Sequence, residues 1–221
     1  MSSQKLKFYF CPASAPCRAV HMVAKAVGAD FDIKNVDIMK GEHRTPEYAA
    51  INPMKTVPTM VDGDFILWEG RAISQYLVQK YGKENQLYSV DLKKRALVNR
   101  MLYWDATGLY QAVYNYVMPQ VLKRLPPSEE AAEALRKQVK YLNSELQARK
   151  YAAGDHVTIA DLHILASLTH VSLVSFDIGS CEAPKVEAYV ARLKTELAYF
   201  DQCNGGLYQM CEMMKKMMSG Q

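Results

Sequence analysis

The sequence has no apolar run long enough to cross a membrane, and its polar first residues, 1–7, hold no apolar core of a secretory leader. It also lacks a long block of like charge. The densest basic runs are Lys93-Lys94-Arg95 and Lys215-Lys216, and the formal net charge is only +4. Such short runs read as solvated helix faces, so no nucleic-acid surface and no membrane surface are expected. There is no Cys-x-x-Cys pair, and the five cysteines, Cys11, Cys17, Cys181, Cys203 and Cys211, are an odd number. That excludes a disulfide framework and fits reduced thiols in a cytoplasmic protein. No metal set is found: His21, His163 and His170 lie on or beside apolar helix faces and read as structural. Internal repeats are absent. From Asp91 onward there is no convincing strand.

What is present is an ordinary globular composition, 49% hydrophobic and 23% charged, in 221 residues, enough for two modest domains. The first part alternates strand and helix. Residues 6–10 are apolar and aromatic and read as a strand. Val20, Val23, Ala24 and Val27 recur at the helical period, closed by Gly28. Ser14 stands at the N-cap position of that helix, and Pro16 occupies its first turn. A strand feeding a helix N-terminus gathers free N–H groups and the positive dipole end at one spot, which suits an anion.

A second strand is expected over 31–37 and a short helix within 41–50. A third strand is expected over 59–61, a hairpin turn at Asp62-Gly63, and a returning strand over 65–68. Ala72, Ile73, Tyr76 and Leu77 then mark a helix ended by Gly82. Beyond it, 96–122 reads as one long helix with Gly108 inside, broken by Pro126-Pro127. Ser128 opens another helix, with Leu135, Val139, Leu142 and Leu146 on its buried stripe. Thr158-Ile159-Ala160-Asp161 has the spacing of a capping box, and Pro184 starts a further helix. Met210, Met213, Met214, Met217 and Met218 form a stripe in the tail. The expected division is an α/β domain over 1–83, a linker over 84–91 and an all-helical domain over 92–221.

Five motifs occur in order: the opening strand, Ser14-Ala15-Pro16-Cys17-Arg18, Val57-Pro58-Thr59, Trp68-Glu69-Gly70-Arg71-Ala72-Ile73, and Thr158-Ile159-Ala160-Asp161. Together they resemble the cytosolic glutathione transferases, and most of all the insect delta class with its epsilon and theta relatives. The resemblance extends over about residues 5–200. It implies a thioredoxin-like first domain, an all-helical second domain, a homodimer, and glutathione as co-substrate.

The resemblance assigns Ser14 as the catalytic hydroxyl that holds the glutathione sulfur as a thiolate. Val57 and Pro58 match a cis-proline turn whose main chain pairs with the cysteinyl part. Glu69, Gly70 and Arg71 match the turn for the γ-glutamyl end, and His43 and Lys55 the positions for the glycyl carboxylate. Asp105 matches a residue that faces the glutathione site across the dimer. Tyr110, Val113, Tyr116 and Met118 lie on the helix that matches the wall of a pocket for an apolar electrophile, and the tail offers Tyr208; ordinary core packing stays open for these residues. Two departures bear on affinity: Gly70 stands where the pattern has serine, and Met54-Lys55 where it has Gln-His. Asp161 is expected to cap a helix without chemistry.

The implied activity is conjugation of the glutathione thiolate to apolar electrophiles, in detoxification or a dedicated metabolic step. Other readings stay open on the residues themselves: a noncatalytic carrier of hydrophobic ligands on the same fold, a thiol reductase that uses Cys11, and an interaction module.

Overall fold

The computed structural model describes residues 5–82 and 86–219, without the side chains of 215 and 217–219. Parts of the expected linker, of the N-terminal stretch and of the methionine stripe lie outside the described residues.

Strand β1 (Leu6–Phe10) turns Leu6, Phe8 and Phe10 inward, the two-residue period of a half-buried strand. Phe8 stacks on Phe31 with ring centroids 4.3 Å apart. The chain then enters α1 (Ala15–Val27), which ends on Gly28 in the left-handed conformation, φ 71°. Next come β2 (Phe31–Asn35), α2 (Pro46–Ile51), β3 (Thr59–Asp62), β4 (Phe65–Trp68) and α3 (Gly70–Tyr81). The strands form one mixed sheet in the order β2-β1-β3-β4, with β1 and β2 parallel and the other pairs antiparallel. Asp62 pairs with Phe65, so the hairpin turns on Gly63 and Asp64, one residue later than the dipeptide signal suggested.

The rest is helical: α4 (Leu92–Trp104), α5 (Tyr110–Lys123), α6 (Glu129–Glu145), α7 (Ile159–Thr169), α8 (Pro184–Glu196) and α9 (Phe200–Ser219). The single helix expected over 96–122 is interrupted by a π-helical turn, Asp105–Leu109. The turn is closely packed against α6. Trp104 Nε1 donates to Gln138 Oε1 at 2.9 Å, and a β-carbon on Gly108 would sit 2.9 Å from that same oxygen. The widened turn brings the Asp105 carboxylate to the interior, and π-turns often mark functional positions. Helix α7 runs through the centre: every one of its residues is buried, and it packs on α1 from the first domain.

Three histidines in this interior stay neutral. Burial holds His21 at about 4 and His170 at about 3, and holds His163 well below its usual range; nearby Lys25, Arg18 and Arg71 add to the effect in turn. The unfolded chain protonates these rings at their ordinary value, 6.5. Between there and about pH 4 the unfolded state therefore binds more protons. Stability is fully present above about pH 7 and is lost as pH falls. Thermal unfolding should come markedly earlier at about pH 5 than at about pH 7.5, with a smaller difference in His21→Gln. Equal midpoints at both pH values would refute this account.

Candidate active site

The turn after β1 is held by its own backbone, the Ser14 N–H donating to the Cys11 carbonyl at 3.0 Å. Ser14 keeps extended dihedrals, φ −68° and ψ 119°, and its Oγ accepts from the Cys17 N–H at 3.4 Å. A lone pair thus serves the helix, and the hydroxyl proton is left for donation elsewhere. The Cys17 sulfur also lies within reach of that hydroxyl, but burial pushes its thiol up to about 12. A neutral thiol is a weak acceptor and does not compete for the proton with an anion. Ser14 itself is only half-buried.

Cys11 is 4% exposed, and burial raises its thiol against the opposing pull of the Ala13 and Ser14 N–H groups. A buried thiol held in its neutral form lacks the thiolate that nucleophilic attack needs.

A second helix N-terminus meets the first. Gly70 opens α3, and a β-carbon there would lie 3.2 Å from Pro16 Cβ and 3.4 Å from the Pro16 carbonyl oxygen. The first turns of α1 and α3 therefore touch, and their positive dipole ends converge. Glu69 precedes α3 at φ 69°, a left-handed conformation for which a residue with a β-carbon gives up about 1–3 kcal/mol. Its exposed carboxylate makes no cap, so the first N–H groups of α3 have no side-chain acceptor. A serine at position 70 would add a hydroxyl and press on Pro16 at the same time.

Arg71 forms an ion pair with Asp105 of the same chain. Asp105 has no exposure, and burial raises its carboxyl against the opposing pull of Arg71. Within the chain, Asp105 thus sits beside Arg71 of the expected γ-glutamyl turn. Asp105 Oδ1 and Arg71 Nε are both buried and have no hydrogen-bond partner among the described residues. Arg71 also lies 5.8 Å from the centre of the Tyr110 ring. One turn further along α3, Ser74 Oγ and His163 Nε2 are 2.9 Å apart and tie the helix to α7.

The Val57–Pro58 peptide is cis. The segment before it hangs on residues that the motif reading passed over. Asn52, fully buried, donates Nδ2 to the Thr56 carbonyl at 3.0 Å and to Thr59 Oγ1 at 2.9 Å. Tyr48 donates its hydroxyl to the same carbonyl at 2.6 Å. Their only sequence signal was an Asn-Pro pair that also suits a plain turn. Lys55 and Met54 are exposed, Lys55 at φ 57°. His43 is half-buried and accepts from Arg44 Nε at 3.2 Å; burial and then the Arg44 charge lower its ionisation.

The pocket residues divide. Val113 has no exposure, and Tyr116 is 5% exposed with its ring edge-on to Phe176 at 5.1 Å. Both are core residues of the helical part as the chain stands, because one helix face carries core and wall side chains at the same spacing. Tyr110, Met118 and Tyr208 remain half-buried. Two cavities, of about 370 and 740 Å³, lie elsewhere, and neither is lined by a site residue expected from the sequence.

A four-stranded mixed sheet with a cis-proline before β3 and a serine-capped helix after β1, joined to a helical bundle, defines a two-domain protein of thioredoxin type. Family models agree with that class: the glutathione S-transferase N-terminal domain matches residues 4–79 and the C-terminal domain residues 110–196. The chain belongs to the glutathione S-transferase family. It is similar to a delta-class glutathione transferase of Nilaparvata lugens, 36% identical, TM-score 0.90, over 96% of this chain and 99% of that one. An epsilon-class enzyme of the housefly Musca domestica is 35% identical, TM-score 0.87, over 96% and 98%. A homologue from a Drosophila species, solved with bound glutathione, is 31% identical, TM-score 0.86, over 96% and 97%. Among the described residues no helix is long and apolar enough to cross a membrane, and no group of side chains could hold a metal ion.

Proposed function

We propose that this transferase holds glutathione as its thiolate with the Ser14 hydroxyl and delivers it to an apolar electrophile. The observation that carries the reading is the Ser14 hydroxyl itself. Its oxygen accepts from the Cys17 N–H, and its proton is available half-exposed at the point where two helix N-termini meet. The carboxylate of the γ-glutamyl end suits the uncapped N–H groups of α3, with Glu69 taking the ammonium. Arg71, pinned by Asp105, holds that turn. The Val57 main chain pairs with the cysteinyl part. Lys55 serves the glycyl carboxylate as a mobile charge, and His43, neutral at pH 7, as a hydrogen-bond donor.

In the reaction the sulfur lone pair forms the S–C bond. The electrophile's leaving group departs with its electron pair, or an activated double bond takes up a proton after addition. Tyr110, Met118 and Tyr208 offer the aromatic and thioether surface that flat apolar substrates need. A second copy of the chain is the partner we assign to the exposed apolar residues of β4 and α4, Phe65, Ile66, Leu97 and Tyr103. One observation favours the noncatalytic carrier as a second reading: Gly70 leaves the α3 turn without a hydroxyl.

The test is a pH titration of the ultraviolet thiolate absorbance of glutathione with saturating protein. Bound glutathione should ionise one to two units (roughly) below the free thiol, each unit needing about 1.4 kcal/mol of preference for the anion. Binding without a shift favours the carrier; no binding ends the enzyme assignment for this chain.

A further inference from the structure

Arg18 is the largest fully buried side chain of the protein. Nη1 donates to Asn204 Oδ1 at 2.6 Å and to Thr169 Oγ1 at 2.8 Å, and Nη2 donates to the Ala166 carbonyl at 2.9 Å. Nε is buried with no partner among the described residues. All three acceptors are neutral and come from α7 and α9. The titratable groups that face this guanidinium include Cys11 before its helix, Cys17 on it, Tyr110 on α5, His170 after α7, and Tyr208 and Cys211 on α9. None is a carboxylate. Burial lowers the guanidinium only to about 10, so it is charged at neutral pH.

Burying a cation without a counter-ion is costly, and buried charges are ordinarily paired. An unpaired one that the fold holds with three directed hydrogen bonds calls for an anion that the protein alone does not supply. Its position says where. Arg18 follows Ser14 by one helical turn, its N–H donating to the Ser14 carbonyl at 3.1 Å. Its charge also reaches the sulfurs on either side of Ser14, favouring the anionic form of both Cys11 and Cys17, though burial outweighs it in each. A sulfur anion held on the Ser14 hydroxyl would stand in the same field.

We infer that Arg18 is a positioning residue for the thiolate: a buried, unneutralised cation, clamped from the helical part by Asn204, Thr169 and the Ala166 carbonyl, that favours negative charge at the sulfur held by Ser14. The inference rests on the Ser14 reading and deepens it. It also joins α9 to the chemistry. A β-carbon on Gly206 would lie 2.5 Å from Pro12 Cβ, so the same helix that orients Arg18 presses on the Ser14 turn.

The experiment is the thiolate titration of bound glutathione in Arg18→Met, Arg18→Lys and Asn204→Asp. Arg18→Met keeps an unbranched apolar stem and removes the charge. Asn204→Asp keeps the guanidinium and sets a carboxylate oxygen where the amide oxygen stands, 2.6 Å from Nη1. A unit charge on the order of 10 Å away, at an effective dielectric near 20, moves an ionisation by about one unit. The bound thiol should therefore titrate about one pH unit higher in Arg18→Met and in Asn204→Asp, and stay near wild type in Arg18→Lys. A purely structural arginine would change stability and glutathione affinity but leave the bound ionisation in place. If Arg18→Met does not fold, Asn204→Asp carries the test alone. Wild-type ionisation in either folded variant overturns the inference and leaves the Ser14 reading intact. A wild-type protein whose bound glutathione ionises like the free thiol overturns both.

Discussion

Ser14→Ala should lower kcat/KM for conjugation of glutathione to an activated aryl halide by about 10–100-fold, with most of the loss in kcat below the thiol's free ionisation range. The magnitude follows from one hydrogen bond to an ionised acceptor, worth about 1.5–3 kcal/mol. The helix N-termini at Ser14 and Gly70 survive the substitution, so the loss stops short of the uncatalysed rate. The variant also loses a cap. With Oγ 3.4 Å from the Cys17 N–H that bond is long, and about 1 kcal/mol of stability is expected to go with it. The two effects separate cleanly, because stability is read by urea unfolding and chemistry by the thiolate titration. A variant with wild-type kcat and thiol ionisation would show that Ser14 is a cap and nothing more. The same variant weighs Cys11, whose buried thiol should not take over.

Asp161→Ala should produce the largest loss of stability, about 3–5 kcal/mol. Its carboxylate has no exposure, and each oxygen accepts two hydrogen bonds. Oδ2 takes the Thr158 N–H and Oγ1, both at 2.8 Å, and Oδ1 takes the Ala152 N–H and the Tyr189 hydroxyl, again both at 2.8 Å. Alanine would leave those donors buried without an acceptor, each costing about 1–3 kcal/mol before relaxation. Since α7 packs on α1, the loss should appear as a poor yield of folded protein and an early urea midpoint. Whatever folds should still lower the ionisation of bound glutathione, because Asp161 does not touch the Ser14 turn. A variant with an unchanged urea midpoint would refute the capping role.

The elements were legible wherever neighbours along the chain decide them. Ser14 and Ser128 accept from the N–H three residues on, and Gly28 closes α1 at positive φ. Those contacts span one helical turn, so residue type and spacing suffice. The long helix expected over 96–122 missed the π-turn, beside which Gly108 lies close to Gln138, a neighbour the helical period cannot contain. Whether Val113 and Tyr116 pack in a core or line a cleft was not legible, because a stripe of apolar residues has the same spacing in either case.

The sequence by itself determined the family, the α/β part followed by a helical part, and the Ser14 turn, all of which depend on order and local chemistry. Tertiary structure alone decided what those residues face. Asp105 met Arg71, 34 positions away. Arg18 found Thr169 and Asn204, 151 and 186 positions away. Asn52 came to hold the turn before Pro58. A buried polar group chooses its partners by distance in space and by the cost of having none, and neither quantity is written in the spacing of the chain.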